Sequence, residues 1–382
     1  MQPEDLIYEG AFLFPQGTQG GSRWGYGAYA LTFYPQGDPN GNDDGHPGSL
    51  FGSSHVYDNL VGEASIPAPI ISLNKNIKDL PRATQLQNFA DITGGLKDTV
   101  MADDLDVFGG LLYAPWDNLI YWSFFQYYSV QPLNENDYAT HGRSQLTIAH
   151  PQAQGIWHIG PYGDPLYHQK KTANYMLEIP KAWADEYVPG KYIGTGKANG
   201  AGNAGNSHGP ALFAVLPPPA DSNLANTTEL SSNVLLYYPP NNGAEYFPEW
   251  SACDVWEGAV WIESQEKSAV LFAGRKALGE DCYGTPEACN DPCDSGKGYH
   301  CYPYAAEFFL YDPAELALVA EGKKETQEVL PYATFAITDV FFPICSYTMG
   351  AATFDKRQGL LYVVQSNGED PIVHVWNIKA SE

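Results

Sequence analysis

GAATFDKRQGLLYVVQ, residues 350–365, followed by IVHVWNI, residues 372–378, decides the fold. Asp355-Lys-Arg-Gln-Gly359 separates two apolar runs with a composition that suits a tight turn. The stretch therefore reads as three consecutive strands, 350–355, 360–365 and 372–378, with no fourth after them. The missing strand is available at the other end of the chain, in LIYEGAFLF, residues 6–14. Pairing the first and last segments of a chain in one sheet closes a ring of sheets without open edges, as a propeller requires.

Working outward, four more sets of four strands precede it. The first spans 26–34, 49–54, 61–66 and 84–90. The second spans 107–114, 119–128, 145–149 and 155–159. The third spans 173–179, 191–197, 211–216 and 233–238. The fourth spans 256–263, 268–274, 306–311 and 332–338. Gly- and Pro-rich turns separate the runs. Only 181–187 and 314–321 read as short helices, each with a proline near its start. The expectation is an all-β chain forming a β-propeller of five blades, four antiparallel strands each, with the last blade closed by the N-terminal strand. It is expected to be one domain over 1–382, with a Cys-rich loop insertion at about 275–305. A β-sandwich is the main rival, and six blades would need one further set.

Composition agrees with short strands and turns. Aromatic residues make up 14% and charged residues 17%, with 38 glycines and 29 prolines. Acidic residues number 45 against 20 basic ones, for a net charge of −25. That field repels nucleic-acid phosphates and anionic membranes, which excludes both as general partners. No run approaches the ~18 apolar residues of a membrane span. A monomer is expected.

Cys282, Cys289, Cys293 and Cys301 cluster, and Cys253 and Cys345 stand apart. Without paired C-x-x-C units, disulfides are the better reading than zinc, and they imply an oxidising compartment. Which cysteine pairs with which stays open. Residues 1–10 are polar and carry no signal peptide, so a secreted or periplasmic protein is expected to be in its mature form here.

The runs Ser22-Arg-Trp-Gly-Tyr-Gly27, Trp157-His-Ile-Gly-Pro161, Gly209-Pro-Ala-Leu-Phe213, Lys267-Ser-Ala-Val-Leu-Phe272 and Phe309-Leu-Tyr-Asp-Pro313 resemble an uncharacterised family of secreted bacterial β-propeller proteins. The resemblance implies the fold and export, and no activity. Five-bladed furanoside-cleaving glycosidases place a carboxylate at the start of several inner strands. Here the first inner strand begins Trp24-Gly-Tyr-Gly27 and the last Tyr347-Thr-Met349, without an acid, which counts against that chemistry.

In a propeller the first strand of each blade lines the central channel. Loops arriving at it share one face, the top face, with loops joining the second and third strands. Pockets form where such loops converge. The second-to-third-strand loops are expected to carry His55, His141, His208 and His300, four of the nine histidines. Imidazoles converging from separate loops would bind a transition metal. Alternatively they would serve acid–base chemistry, or merely hydrogen-bond neighbouring backbone.

The segment Asn136-Asp-Tyr-Ala-Thr-His-Gly-Arg143 brings Tyr138, His141 and Arg143 together, with His168 and Lys171 in a second cluster. A polysaccharide lyase needs a base, a cation to stabilise the enolate and an acid, and these residue types fill those roles. Trp24, Tyr26, Trp250, Tyr299, Tyr302 and Tyr347 are expected near the same face, where flat rings stack on sugars. On the opposite face, Asp38, Asn40, Asn42 and Asp44 offer alternating oxygens for calcium, or form a solvated turn. No nucleotide-binding fingerprint is present.

The functional expectation is thus a secreted propeller acting on carbohydrate, in its sharpest form a polysaccharide lyase. A multi-His metal enzyme and a non-catalytic glycan- or protein-binding module are the alternatives.

Overall fold

A computed structural model describes residues 1–41, 45–99, 106–126, 139–167, 171–198, 207–220, 224–225, 227–240, 246–248, 250–264 and 267–379. Strand β1 is Leu6–Leu13. Blade 1 holds β2 (Leu31–Tyr34), β3 (Ser49–Ser53), β4 (Val61–Ser65) and β5 (Gln85–Ala90). Blade 2 holds β6 (Asp106–Ala114), β7 (Leu119–Gln126), β8 (His141–Ser144) and β9 (Gln154–Ile159). Blade 3 holds β10 (Met176–Glu178), β11 (Ile193–Thr195), β12 (Leu212–Val215) and β14 (Ser232–Leu236), with helix α1 (Lys181–Tyr187) after β10 and strand β13 (Glu229–Leu230) before β14.

Blade 4 holds β15 (Val255–Ser264), β16 (Lys267–Ala277), β19 (Tyr304–Tyr311) and β20 (Ala333–Ala336). Between β16 and β19 lie the hairpin β17 (Cys282–Gly284) and β18 (Gly298–His300), and helix α2 (Pro286–Cys289). Helix α3 (Pro313–Ala320) follows β19. Blade 5 holds β21 (Met349–Asp355), β22 (Leu360–Gln365) and β23 (Ile372–Ile378), and β1 is its fourth strand, paired antiparallel to β23 from Leu6↔Ile378 to Leu13↔Ile372. Five antiparallel sheets of this kind form the expected five-bladed propeller, and a two-sheet sandwich is ruled out.

The core is divided among the blade interfaces. Five buried clusters each join residues of two neighbouring blades: Phe51 and Trp122 between blades 1 and 2, for example, and Leu271 and Val363 between 4 and 5. Neighbouring residues of one strand serve different interfaces. Leu111 faces blade 1 and Leu112 faces blade 3. This two-sided burial is why so many strands read as continuous apolar runs rather than alternating ones. Each fully buried Leu, Val or Phe among them contributes about 1.5–3 kcal/mol.

Each outer strand is covered by the next blade. The third-to-fourth connection of blade 1 bridges to β1 at Ala11↔Ile70. That of blade 2 bonds to Gln87 of β5 through Leu146 and Ile148. That of blade 3 adds β13 parallel to β9. Blade 4 lays the segment after α3 on β14, where the Thr326 hydroxyl donates to the Tyr237 carbonyl. In blade 5 the N-terminal segment takes this place, and the Tyr332 hydroxyl donates to the Met1 carbonyl at 2.8 Å. Capping of this kind shields edges that would otherwise pair with other chains.

The first strand of blade 1 begins at Leu31 rather than at 26, which leaves Tyr26 on the loop before it, and the largest departure from expectation is in blade 2. The third strand of blade 2 is His141–Ser144, not 145–149. Residues 145–153 form the connection that covers β5 instead.

Candidate functional site

The five inner strands β2, β6, β10, β15 and β21 surround the axis. Three of them carry a bulge: β6 between Phe108 and Gly110, β15 between Trp256 and Gly258, and β21 between Met349 and Ala352. Small residues let the strands approach there. A Cβ on Gly109 would sit 2.2 Å from the Ala173 carbonyl oxygen, and one on Gly350 2.7 Å from that of Ala28. A bulge leaves its extra residue outside the ladder. In β15 that residue is Glu257.

Glu257 is enclosed by protein yet keeps partial contact with solvent. Among the described residues its Oε2 has no hydrogen-bond partner. Burial pushes its carboxyl up to about 7, against the opposing pull of Arg275. Tyr29, on the loop arriving at β2, is raised by burial and then by the charge of Glu257, and Ser366 brings a hydroxyl beside it. Sequence reading missed this group. Its one available signal was a charged residue inside the apolar run of 256–263.

Aromatic side chains stand on the loops that arrive at the inner strands and that join the second and third strands. His208 and Trp250 stack with centroids 3.8 Å apart and planes 6° from parallel. Tyr26 is 49% exposed and Tyr57 75%, with His55 packed between them at 5.7 and 5.5 Å. Tyr26, like Tyr347 on the loop arriving at β21, has a positive φ. Two loops at adjacent inner strands thus hold a tyrosine in a backbone region costly for any side chain but glycine.

The insertion is stapled over the same face. Disulfides join Cys253 to Cys301, Cys282 to Cys289 and Cys293 to Cys345. The first and third tie the insertion to the loops arriving at β15 and β21, and the second closes a short loop within it. Its interior is polar: the Asp291 carboxylate accepts from the Tyr304 hydroxyl at 2.6 Å and lies 3.1 Å from His300 Nδ1. Its outside exposes Tyr283, Tyr299 and Tyr302, the first two paired across the hairpin.

Several predicted residues are elsewhere or otherwise engaged. His141 is in a strand, fully buried, with Nδ1 2.9 Å from the Thr140 hydroxyl and Nε2 3.2 Å from that of Thr195. Burial holds its pKa down at about 3, so it stays neutral. Arg143 is buried and spends its donors on Gln154, Tyr121 and the carbonyls of Pro218, Pro219 and Ala220. Both side chains are therefore committed to holding blades 2 and 3 together. Tyr138 and His168 lie outside the described residues.

Lys171 is buried with its pKa lowered to about 8, beside Lys197, lowered to about 7; burial dominates both shifts. Trp24 is a core residue, stacked on Phe14 at 4.1 Å with its Nε1 donating to Gln85.

The four predicted metal histidines do not converge. His55 sits among tyrosines, His141 between threonines, His208 on Trp250 and His300 on Asp291. Among the described residues no three His, Cys, Asp or Glu side chains gather as a metal site would need. In the calcium candidate, Asp38 Oδ1 accepts from the Asn40 backbone at 2.9 Å, and Asn42 and Asp44 lie outside the described residues. Among the described residues no helix is long and apolar enough to cross a membrane.

No protein-family profile and no curated protein sequence matches the chain. Among solved structures it is similar to an inhibitor-bound humanised mutant of Chaetomium thermophilum Polycomb Repressive Complex 2, at 10% identity and a TM-score of 0.34 over 98% of this chain and 99% of that one. Raptor from the same organism gives 7% identity and a TM-score of 0.34 over 100% of this chain and 30% of its own. The β-propeller assignment rests on the strand pairing itself.

Proposed function

We propose that the protein works outside the cell and binds carbohydrate at the top-face mouth of its channel. Tyr26, Trp250 and Tyr347 serve as stacking surfaces, and Glu257 and Tyr29 as polar anchors at the floor. The observation that carries this reading is the unpartnered, enclosed Oε2 of Glu257. A buried acceptor left unpaired costs about 1–3 kcal/mol, and a sugar hydroxyl would satisfy it. Aromatic rings and a few convergent polar groups are the usual composition of such a site.

The test is binding of the purified protein to immobilised neutral and uronate-containing polysaccharides. Wild type is expected to retain a subset, and Tyr26→Ala and Trp250→Ala to weaken retention at least tenfold. Uniform failure to bind, or binding indifferent to both changes, would sink the reading.

Catalysis on the same ligand is the second reading. It is favoured by Glu257, a carboxyl that still carries a proton near neutral pH and so has the state required of a general acid. Product analysis separates the two, because Glu257→Gln would then abolish product while leaving retention in place. A lyase built on His141 and Arg143 gains no support from their geometry. Calcium at the 37–45 loop remains a proposal that metal analysis of dialysed protein tests.

A further inference from the structure

At the opposite, bottom end of the axis lies a cavity of about 350 Å³. Every inner strand contributes an apolar wall residue: Phe33, Leu112, Met176, Trp261 and Phe354. Its volume is in the range that accepts a small molecule.

The polar groups around it are unevenly committed. Lys356 Nζ lies 2.8 and 3.1 Å from the two Glu178 carboxylate oxygens. Lys181 pairs with Asp185 at 2.5 Å and donates to the Tyr192 hydroxyl at 2.8 Å. Arg357 donates to the Pro35 carbonyl at 3.0 Å, meets Asp355 Oδ1 at 3.5 Å and lies over the Phe33 ring. All three cations are thus taken.

What remains are acceptors. Asp355 is 1% exposed; its Oδ1 accepts from the Arg357 backbone at 2.9 Å, while its Oδ2 has no partner among the described residues. Glu263 stands exposed at the rim, and no cation pairs with it among the described residues. The net charge of −25 adds a field that draws cations toward a low-dielectric opening.

We infer that this cavity is a second binding site, separate from the top face, for a small molecule with an apolar body and a protonated amine. The amine donates to Asp355 Oδ2, and the body lies against Trp261 and Phe33. Phenethylammonium is the probe, with phenylacetate and 2-phenylethanol as charge controls, read by saturation-transfer NMR and calorimetry. Phenethylammonium is expected to bind at least tenfold more tightly than either control, and Asp355→Asn to remove most of that preference. Ala182, exposed on α1 at the mouth, provides a plug that spares the core. Ala182→Trp is expected to abolish binding with an unchanged melting temperature. Equal binding of the three probes, no binding of any, or binding that survives a folded Ala182→Trp protein overturns the inference.

Discussion

The Tyr8 hydroxyl lies 2.9 Å from His374 Nδ1, although 366 residues separate them in sequence. The other ring nitrogen, Nε2, lies 2.9 Å from Gln365 Oε1, and the ring stacks on Phe341 at 4.5 Å. The seam that closes the ring is therefore built on a buried histidine with both nitrogens occupied.

That arrangement makes the fold sensitive to acid. Burial lowers His374 and His141 to about 3 in the folded chain, against about 6.5 unfolded. A folded pKa below the unfolded one means that the unfolded chain binds more protons between those values. Stability is thus lost as pH falls below 6.5. By pH 4.5 each histidine is expected to cost about 2–3 kcal/mol. Urea denaturation at pH 7 and 4.5 checks this, and His374→Gln should flatten the dependence.

Arg143 is expected to matter for stability and not for ligand. Arg143→Ala leaves the carbonyls of Pro218, Pro219 and Ala220 without their donor and Asp117, 3.7 Å away, without its cation. The expected loss is about 3–5 kcal/mol, with carbohydrate retention unchanged in the folded fraction. A loss of retention at full stability would return Arg143 to the site.

Removing the Cys293–Cys345 bridge frees the insertion from the loop arriving at β21. A closure of 52 residues is worth about 4 kcal/mol in the chain-entropy account. Cys293→Ser with Cys345→Ser should lower the melting temperature and open 281–300 to limited proteolysis before the blades are cut.

Glu257 should impose a pH dependence on carbohydrate affinity. An ionised carboxylate is the stronger acceptor, so affinity is expected to rise as pH passes upward through about 7. Glu257→Gln should bind equally at pH 6 and 8, as titration calorimetry would record.

Most strands were legible because apolar runs between Gly- and Pro-rich turns survive even when both faces are buried. The third strand of blade 2 was not. His141-Gly-Arg-Ser144 is polar, and partners as distant as Thr195 and Pro218 stabilise its burial. Its neighbour 145–149 has the apolar pattern but serves as a cover over β5. This displacement turned two strand residues into expected loop residues and suggested a catalytic trio. Glu257 escaped notice for the converse reason: a bulge, which no local pattern announces, moves it out of the ladder. The disulfides were legible as disulfides, while their pairing depended on which loops the ring brings together.

The seam also fixes how the molecule would yield to force. Leu6 is paired with Ile378, so the two chain ends leave the β1–β23 ladder at the same edge. Tension applied there falls on one hydrogen-bonded pair at a time, in an unzipping geometry rather than in shear. Blade 5 would peel open at low force while the other four blades, loaded only afterwards, still stand.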